Sequence, residues 1–367
     1  MKKLIYLFIG AILVSCSSKP HYTVTGKIEG SDSITFYLQK REAGKTISID
    51  SAVSKKGSFK MKGGAVAYPQ LIQLVAGNTR KRTSFYLENS EITVTGSLDS
   101  LFKAKVTGSK THDEYLAFIA SNKPLSDSYS KVVIKFQAAN QSGDAANLAI
   151  LQKEMDSIEI AMTNLQKNFV KNNPKSYVSP SILVSLSYEM EADEIESMVN
   201  GLDTGIVALP QIKALKERVS VMKAVAVGQK APDFTLSDVN GNPVALSSKI
   251  GSKLLLIDFW AAWCNPCRQE NPNVVKVYNE FHKKGFDVFG VSLDQKKEAW
   301  VKAIADDKLT WTHVSDLQYW NNAAAKIYAV NSIPANFLLD ETGKIIGKNL
   351  RGQDLYNKVN EVLGGKK

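Results

Sequence analysis

Hydrophobic and polar positions change their period twice along this chain. From residue 22 to about 108 they alternate in short runs, at 22–28, 34–38, 59–61, 70–75, 83–87 and 91–98. Turn signals at Gly30-Ser31-Asp32, Gly63-Gly64 and Gly77-Asn78 separate them. In the last run Ile92, Val94 and Leu98 alternate with Thr93, Thr95 and Ser97, as in a strand with one buried face. Six to eight such strands predict a small sandwich or open barrel. Between 111 and about 223 the period becomes helical. Leu148, Leu151, Met155, Ile158, Met162, Leu165 and Phe169 recur at alternating steps of three and four. That spacing predicts one narrow apolar stripe on a helix of about seven turns, suited to an intramolecular hairpin or, alternatively, a dimerising coiled coil. Ser179-Pro180 and Pro210 mark later helix starts.

From Gly228 strands alternate with helices, the signature of an α/β domain. Strands at 234–236 and 244–246 flank the hairpin turn Asn240-Gly241. Residues 253–260 and 286–293 read as buried central strands, with helices at 267–284, 297–305, 320–328 and 353–363. A hairpin at 335–340 and 344–349 turns at Glu341-Thr342-Gly343. The predicted organisation is multidomain: a leader (1–16), an all-β sandwich-like module (20–110), an α-helical region (111–224) and a C-terminal α/β domain (226–367).

Composition narrows the function. Three cysteines in 367 residues exclude a disulfide-stapled scaffold and a four-cysteine zinc site. The net charge of +10 is concentrated at 17–110, where 15 basic side chains face 7 acidic ones. Arg80-Lys81-Arg82 lies there without interleaved aromatics, so a solvated basic surface, or attraction to anionic headgroups, fits better than nucleic acid.

Lys2-Lys3 precedes an apolar run at 4–14, too short for a bilayer of ~30 Å but suited to a secretory leader. The run ends in Leu13-Val14-Ser15-Cys16, which resembles the lipobox of bacterial lipoproteins. The resemblance implies cleavage before Cys16, acylation of its sulfur and attachment to a lipid bilayer. Ser17 in place of Asp implies an outer-membrane lipoprotein facing the periplasm.

Cys264 and Cys267 stand three apart where a hydrophobic strand meets a helix. A sulfur at a helix N-terminus feels free N–H groups and the macrodipole, which favour its thiolate, while a cysteine one turn further in is shielded and reacts second. Pro266 fits the first turn, where no intrahelical partner is lost. The segment Asp258-Phe259-Trp260-Ala261-Ala262-Trp263-Cys264-Asn265-Pro266-Cys267 resembles the thioredoxin active-site segment, and Pro272 matches that family's helix kink. Ala231-Pro232-Asp233-Phe234 and Arg268-Gln269-Glu270 are similar to the TlpA/ResA branch of membrane-tethered thiol–disulfide oxidoreductases. The module before it resembles a β-rich module of unknown function in some bacterial lipoproteins.

This resemblance implies a thioredoxin-like fold with nucleophile Cys264, resolving Cys267, a buried Asp258 as proton acceptor and a cis bond at Ile333-Pro334. Trp263, Asn265, Pro266 and Ile333 would contact substrate. The strand 288–293 carries no lysine to partner Asp258, a departure from thioredoxin itself. The implied activity is reduction of protein disulfides, with no organic cofactor or metal, electrons coming from a membrane thiol reductant. Two alternatives are a thiol peroxidase, suggested by Ala231-Pro232-Asp233-Phe234, and a binding lipoprotein with incidental cysteines. Ala261 and Ala262 offer no hydroxyl for peroxide activation.

Overall fold

The computed structural model describes residues 21–42 and 45–364. They form two compact units, one ending at Ser181 and the other beginning at Ile182.

The first unit opens with eight strands: β1 (Tyr22–Glu29), β2 (Thr35–Glu42), β3 (Lys45–Val53), β4 (Ser58–Gly63), β5 (Gln70–Ala76), β6 (Arg82–Leu87), β7 (Glu91–Ser97) and β8 (Lys105–Thr107). They pair as two four-stranded sheets, ordered β4-β1-β7-β8 and β3-β2-β5-β6. The inward residues of both sheets, among them Val24, Ile92 and Val94 from one and Phe36, Leu74 and Phe85 from the other, share one core. This is a sandwich. The edge strand β3 keeps its side chains mostly exposed, so its sequence lacks the alternation that marks a half-buried strand.

Helices α1 (Lys110–Ser142) and α2 (Ala145–Asn172) follow as an antiparallel hairpin. Val132 and Ala139 meet Leu151, and the rings of Phe118 and Phe169 lie 4.8 Å apart. The apolar stripe therefore packs within the chain. Gly143 reverses the direction in a left-handed conformation that glycine adopts at no steric cost, and Asp144 caps α2 through Asn147 N–H.

A short helix α3 (Ser179–Leu186) carries the boundary, and α4 (Ala192–Asn200), α5 (Thr204–Val207) and α6 (Pro210–Ala224) belong to the second unit. The region expected as one block at 111–224 is thus divided: α1 and α2 fold with the sandwich, α4 to α6 with the α/β sheet. The helical period locates such helices but does not say which neighbour their apolar faces meet.

The second unit continues with β9 (Thr235–Asp238), β10 (Pro243–Ala245), β11 (Leu254–Trp260), α7 (Asn265–Phe281), β12 (Phe286–Ser292), α8 (Lys297–Asp306), β13 (Thr312–Ser315), α9 (Ala323–Ile327), β14 (Ala335–Asp340), β15 (Ile345–Lys348) and α10 (Gly352–Leu363). Its sheet runs β10-β9-β13-β12-β11-β14-β15. Strand β11 pairs parallel with β12 and antiparallel with β14, a thioredoxin-like centre. Every residue of β11 is buried, as expected of a strand covered on both faces. Four-residue β13 escaped sequence reading, and the helix expected at 320–328 is a tight turn at Tyr319–Asn321 followed by the short α9. Asn322 explains the break, since its side chain accepts the N–H of Ala325 and caps α9.

Candidate active site

Buried β11 delivers the chain to the loop 261–263 and then into α7. Cys264 is the N-cap of that helix, with extended backbone, and its Sγ accepts the N–H of Cys267 at 3.2 Å. The two sulfurs are joined in a disulfide with Cα atoms 5.3 Å apart. Donation of a helix-end N–H to Cys264 Sγ is the interaction that would favour a thiolate once the bond is opened. Both cysteines are covered in this oxidised state, Cys264 being 4% and Cys267 1% exposed. Cys264 is thus less open than its place at the start of the helix suggested. Asn265 and Pro266 are exposed.

The peptide bond Ile333-Pro334 is cis, and the Ile333 carbonyl oxygen lies 3.7 Å from Cys264 Sγ. Pro334 is buried and Ile333 half-buried. The backbone of Ile333 therefore borders the more accessible sulfur.

Asp258 lies mid-strand in β11, opposite Gly290 of β12 and Asn336 of β14. Its carboxyl is raised to about 7, chiefly by burial and further by the Glu270 charge, with the Arg351 guanidinium opposing both. Gly290 stands where a lysine would face Asp258, and the vacant side-chain space is filled by His313, its register partner on β13. A Cβ on Gly290 would fall 2.3 Å from His313 Nδ1, so only glycine fits beneath that imidazole. Burial pushes His313 down to about 3 and keeps it neutral. The positive charge thus reaches Asp258 from the chain after β15 rather than from β12. Arg351 Nη2 also donates to the Pro334 carbonyl at 2.6 Å, and Gly352 N–H donates to Glu270 Oε1 at 2.7 Å. One segment ties the cis-proline loop to the cysteine helix.

A second set of side chains fixes the loop before Cys264. The Ala262 N–H donates to Asp294 Oδ2 at 3.0 Å, and its carbonyl accepts from Arg268 Nη1 at 3.4 Å. Arg268 Nη2 reaches Asp307 Oδ1 at 2.7 Å, its Nε pairs with Oδ2 of the same carboxylate, and Asn271 Nδ2 adds a bond to it at 2.6 Å. Ala262 is held through both its N–H and its carbonyl. Trp263, next in sequence, is 43% exposed and donates its indole N–H to the Leu293 carbonyl at 3.4 Å.

Cys264, Cys267, Trp263, Asn265, Pro266, Ile333 and Pro334 accordingly gather at one end of the sheet, with Asp258 in the strand that leads there. Cys16 lies outside the described residues. Sequence reading missed Asp294, Asp307 and Arg351 as parts of this site. Glu270, one turn beyond Cys267, carried a usable helical-spacing signal; the other three arrive from distant elements without one. Among the described residues no group of three or more His, Cys, Asp and Glu is placed to hold a metal ion, and no helix is long and apolar enough to cross a membrane.

The arrangement is a disulfide at a helix N-terminus beside a cis-proline, with a carboxyl of raised pKa in the strand before it. Comparison with known proteins bears on the same region. The AhpC/TSA family matches residues 227–348, and a domain of unknown function (DUF4369) matches residues 22–115. Thiol-disulfide oxidoreductase ResA of Geobacillus thermodenitrificans is 35% identical over 122 residues, 33% of this chain and 68% of that protein. Thioredoxin-like protein YneN of Bacillus subtilis is 40% identical over 121 residues, 32% of this chain and 68% of its own. A solved thioredoxin domain of a thiol-disulfide oxidoreductase from Bacteroides vulgatus is 42% identical, over 38% of this chain and 98% of that one, with a TM-score of 0.36. Through its C-terminal α/β domain this chain belongs to the ResA-like thiol–disulfide oxidoreductases.

Proposed function

We propose that this oxidoreductase reduces disulfides in polypeptides outside the cytoplasmic membrane, with Cys264 attacking and Cys267 resolving. The observation that carries the reading is the Cys264–Cys267 bridge at the N-cap of α7, beside the cis Ile333-Pro334 bond. In the reduced enzyme the Cys264 thiolate attacks one sulfur of the substrate disulfide, forming a mixed disulfide and expelling the other sulfur as a thiolate, which takes a proton from solvent. Cys267 then loses its proton toward the Asp258 carboxylate and attacks Cys264 Sγ. The second substrate thiolate leaves, and the enzyme ends in the bridged state. The substrate gains two electrons and the enzyme dithiol loses them. A thiol reductant in the membrane restores the dithiol by the same exchange in reverse.

The lipobox-like Leu13-Val14-Ser15-Cys16 supports anchoring through acylated Cys16, with the enzyme facing the periplasm, and Ser17 favours the outer membrane. Pro266 between the cysteines, with no histidine there, favours a reductant over a strong oxidant. A peroxidase reading has the AhpC/TSA match behind it, but the loop before Cys264 presents Ala261 and Ala262, which have no hydroxyl to polarise a peroxide.

Replacing Cys267 with Ala tests this directly. Cys264 can still attack, but nothing resolves the product, so covalent complexes with polypeptide substrates accumulate and are released by dithiothreitol. Peptide mapping of the complexes should place the bond on Cys264. A Cys267→Ala protein that captures nothing from envelope extracts, while the Cys264→Ala protein does, would reverse the roles.

A further inference from the structure

We infer that Trp263, Tyr319 and Trp320 form a docking platform for apolar residues flanking the reactive cysteine of an extended polypeptide substrate. This deepens the proposed function and rests on it. The three rings touch one another: Trp263 lies 5.1 Å from Tyr319 and 5.9 Å from Trp320, and the last two are 5.9 Å apart. Trp263 is 43% and Trp320 36% exposed. Large rings grouped on a surface are the composition of binding hot spots, because they bring much apolar area with few rotatable bonds.

The platform is built rather than incidental. Leu317 and Tyr319 both occupy the left-handed region, at φ +57° and +55°, a conformation costly for non-glycine residues. Asp316 holds the loop in that shape, accepting from Gln318 N–H at 3.1 Å, Asn322 Nδ2 at 2.8 Å and Ala323 N–H at 2.8 Å. Ser315 Oγ accepts the Leu317 N–H and donates to the Ser292 carbonyl at 2.8 Å. The next carbonyl, that of Leu293, accepts the Trp263 indole N–H. The end of β12 therefore anchors both halves of the aromatic group.

Its place selects the occupant. Cys264 follows Trp263 directly, and the Ile333 carbonyl lies 3.7 Å from its sulfur. The platform is thus continuous with the backbone edge on which a substrate strand would pair. An extended chain crossing Cys264 advances about 3.3 Å per residue, which brings residues one or two positions from its own cysteine over the rings. The Asp316 carboxylate is engaged inside the loop, so the rings themselves make the offered surface.

The test uses the full chain and two synthetic disulfide peptides, one with Leu and Phe beside the cysteine and one with Ser and Asp. The unaltered protein should favour the apolar-flanked peptide by roughly tenfold in kcat/KM, chiefly through KM. Trp320→Ala should collapse that ratio toward one, and Trp320→Phe should retain most of it. Kinetics of the polar-flanked peptide on the same variants report whether the site survives the substitution. An unchanged preference in Trp320→Ala, or a preference in the unaltered protein for the polar-flanked peptide, would overturn the inference. Hydroxyethyl disulfide probes the underlying reading separately: if the unaltered, pre-reduced protein cannot reduce it, the proposed chemistry itself fails, whatever the peptides show.

Discussion

Cys264→Ser should lower disulfide reduction by roughly 10³-fold or more, to the background rate of the reductant alone. A serine hydroxyl is not ionised near neutral pH, so the attack on the substrate sulfur loses its nucleophile. Cys267 cannot substitute, since it lies one turn inside α7 rather than at its N-cap. The helix itself should survive, because serine is a favoured N-cap and its oxygen can accept the Cys267 N–H as the sulfur does. Circular dichroism should therefore be nearly unchanged while turnover of a protein disulfide with dithiothreitol disappears. Retention of more than a tenth of the turnover would remove Cys264 from the role assigned to it.

Asp258→Asn should have opposite effects on stability and turnover. The carboxyl is raised to about 7 in the folded protein, burial being the main cause, against an ordinary value of 3.8 when unfolded. The folded state then binds a proton that the unfolded state has released. Its stabilising contribution is fully present below pH 3.8 and is lost as pH rises through about 7. At pH 8 the native carboxylate is ionised in an apolar place, so the asparagine protein should be more stable there, by on the order of 4 kcal/mol at most. Near pH 4 the two proteins should converge. Urea unfolding of both oxidised proteins at the two pH values measures this, and equal stability at pH 8 would contradict the burial argument. Turnover should meanwhile fall by roughly 10²-fold, and an inflection of the rate near pH 7 should vanish, because Asn cannot accept the Cys267 proton.

These two residues are legible in the sequence itself, and the reason is local. Strand, loop, cysteine pair and helix follow one another between Asp258 and Pro272, so the order of residue types alone marks the chemistry. Ile333-Pro334 could be recognised because that element also carries its own short signal. The polar groups that hold the site are different. Asp294, Asp307 and Arg351 reach it from the ends of β12, α8 and β15, and nothing in their immediate neighbours distinguishes them from surface charges. The absence of a lysine opposite Asp258 was visible; its physical counterpart, His313 over Gly290 with Arg351 on the other flank, depends on strand register.

The same contrast holds for the fold. Strand β7 announced itself by alternation, whereas β3 stayed silent because neither face of this edge strand is well buried. The hairpin partner of α2 was less distinct still. Helix α1 holds Pro124 in its interior and has few buried positions over 33 residues, so its apolar period is weak. A chain can specify such elements through packing without displaying them as a pattern.

The proposed chemistry requires Cys264 to be the ionised and attacking sulfur. Alkylation of the fully reduced protein by iodoacetamide, followed over pH and resolved by peptide mass, measures this for each cysteine separately. Cys264 should react first, with a midpoint below the ~8.5 of a free thiol, and Cys267 later and at higher pH. Preferential alkylation of Cys267, or two midpoints both at the free-thiol value, would contradict it.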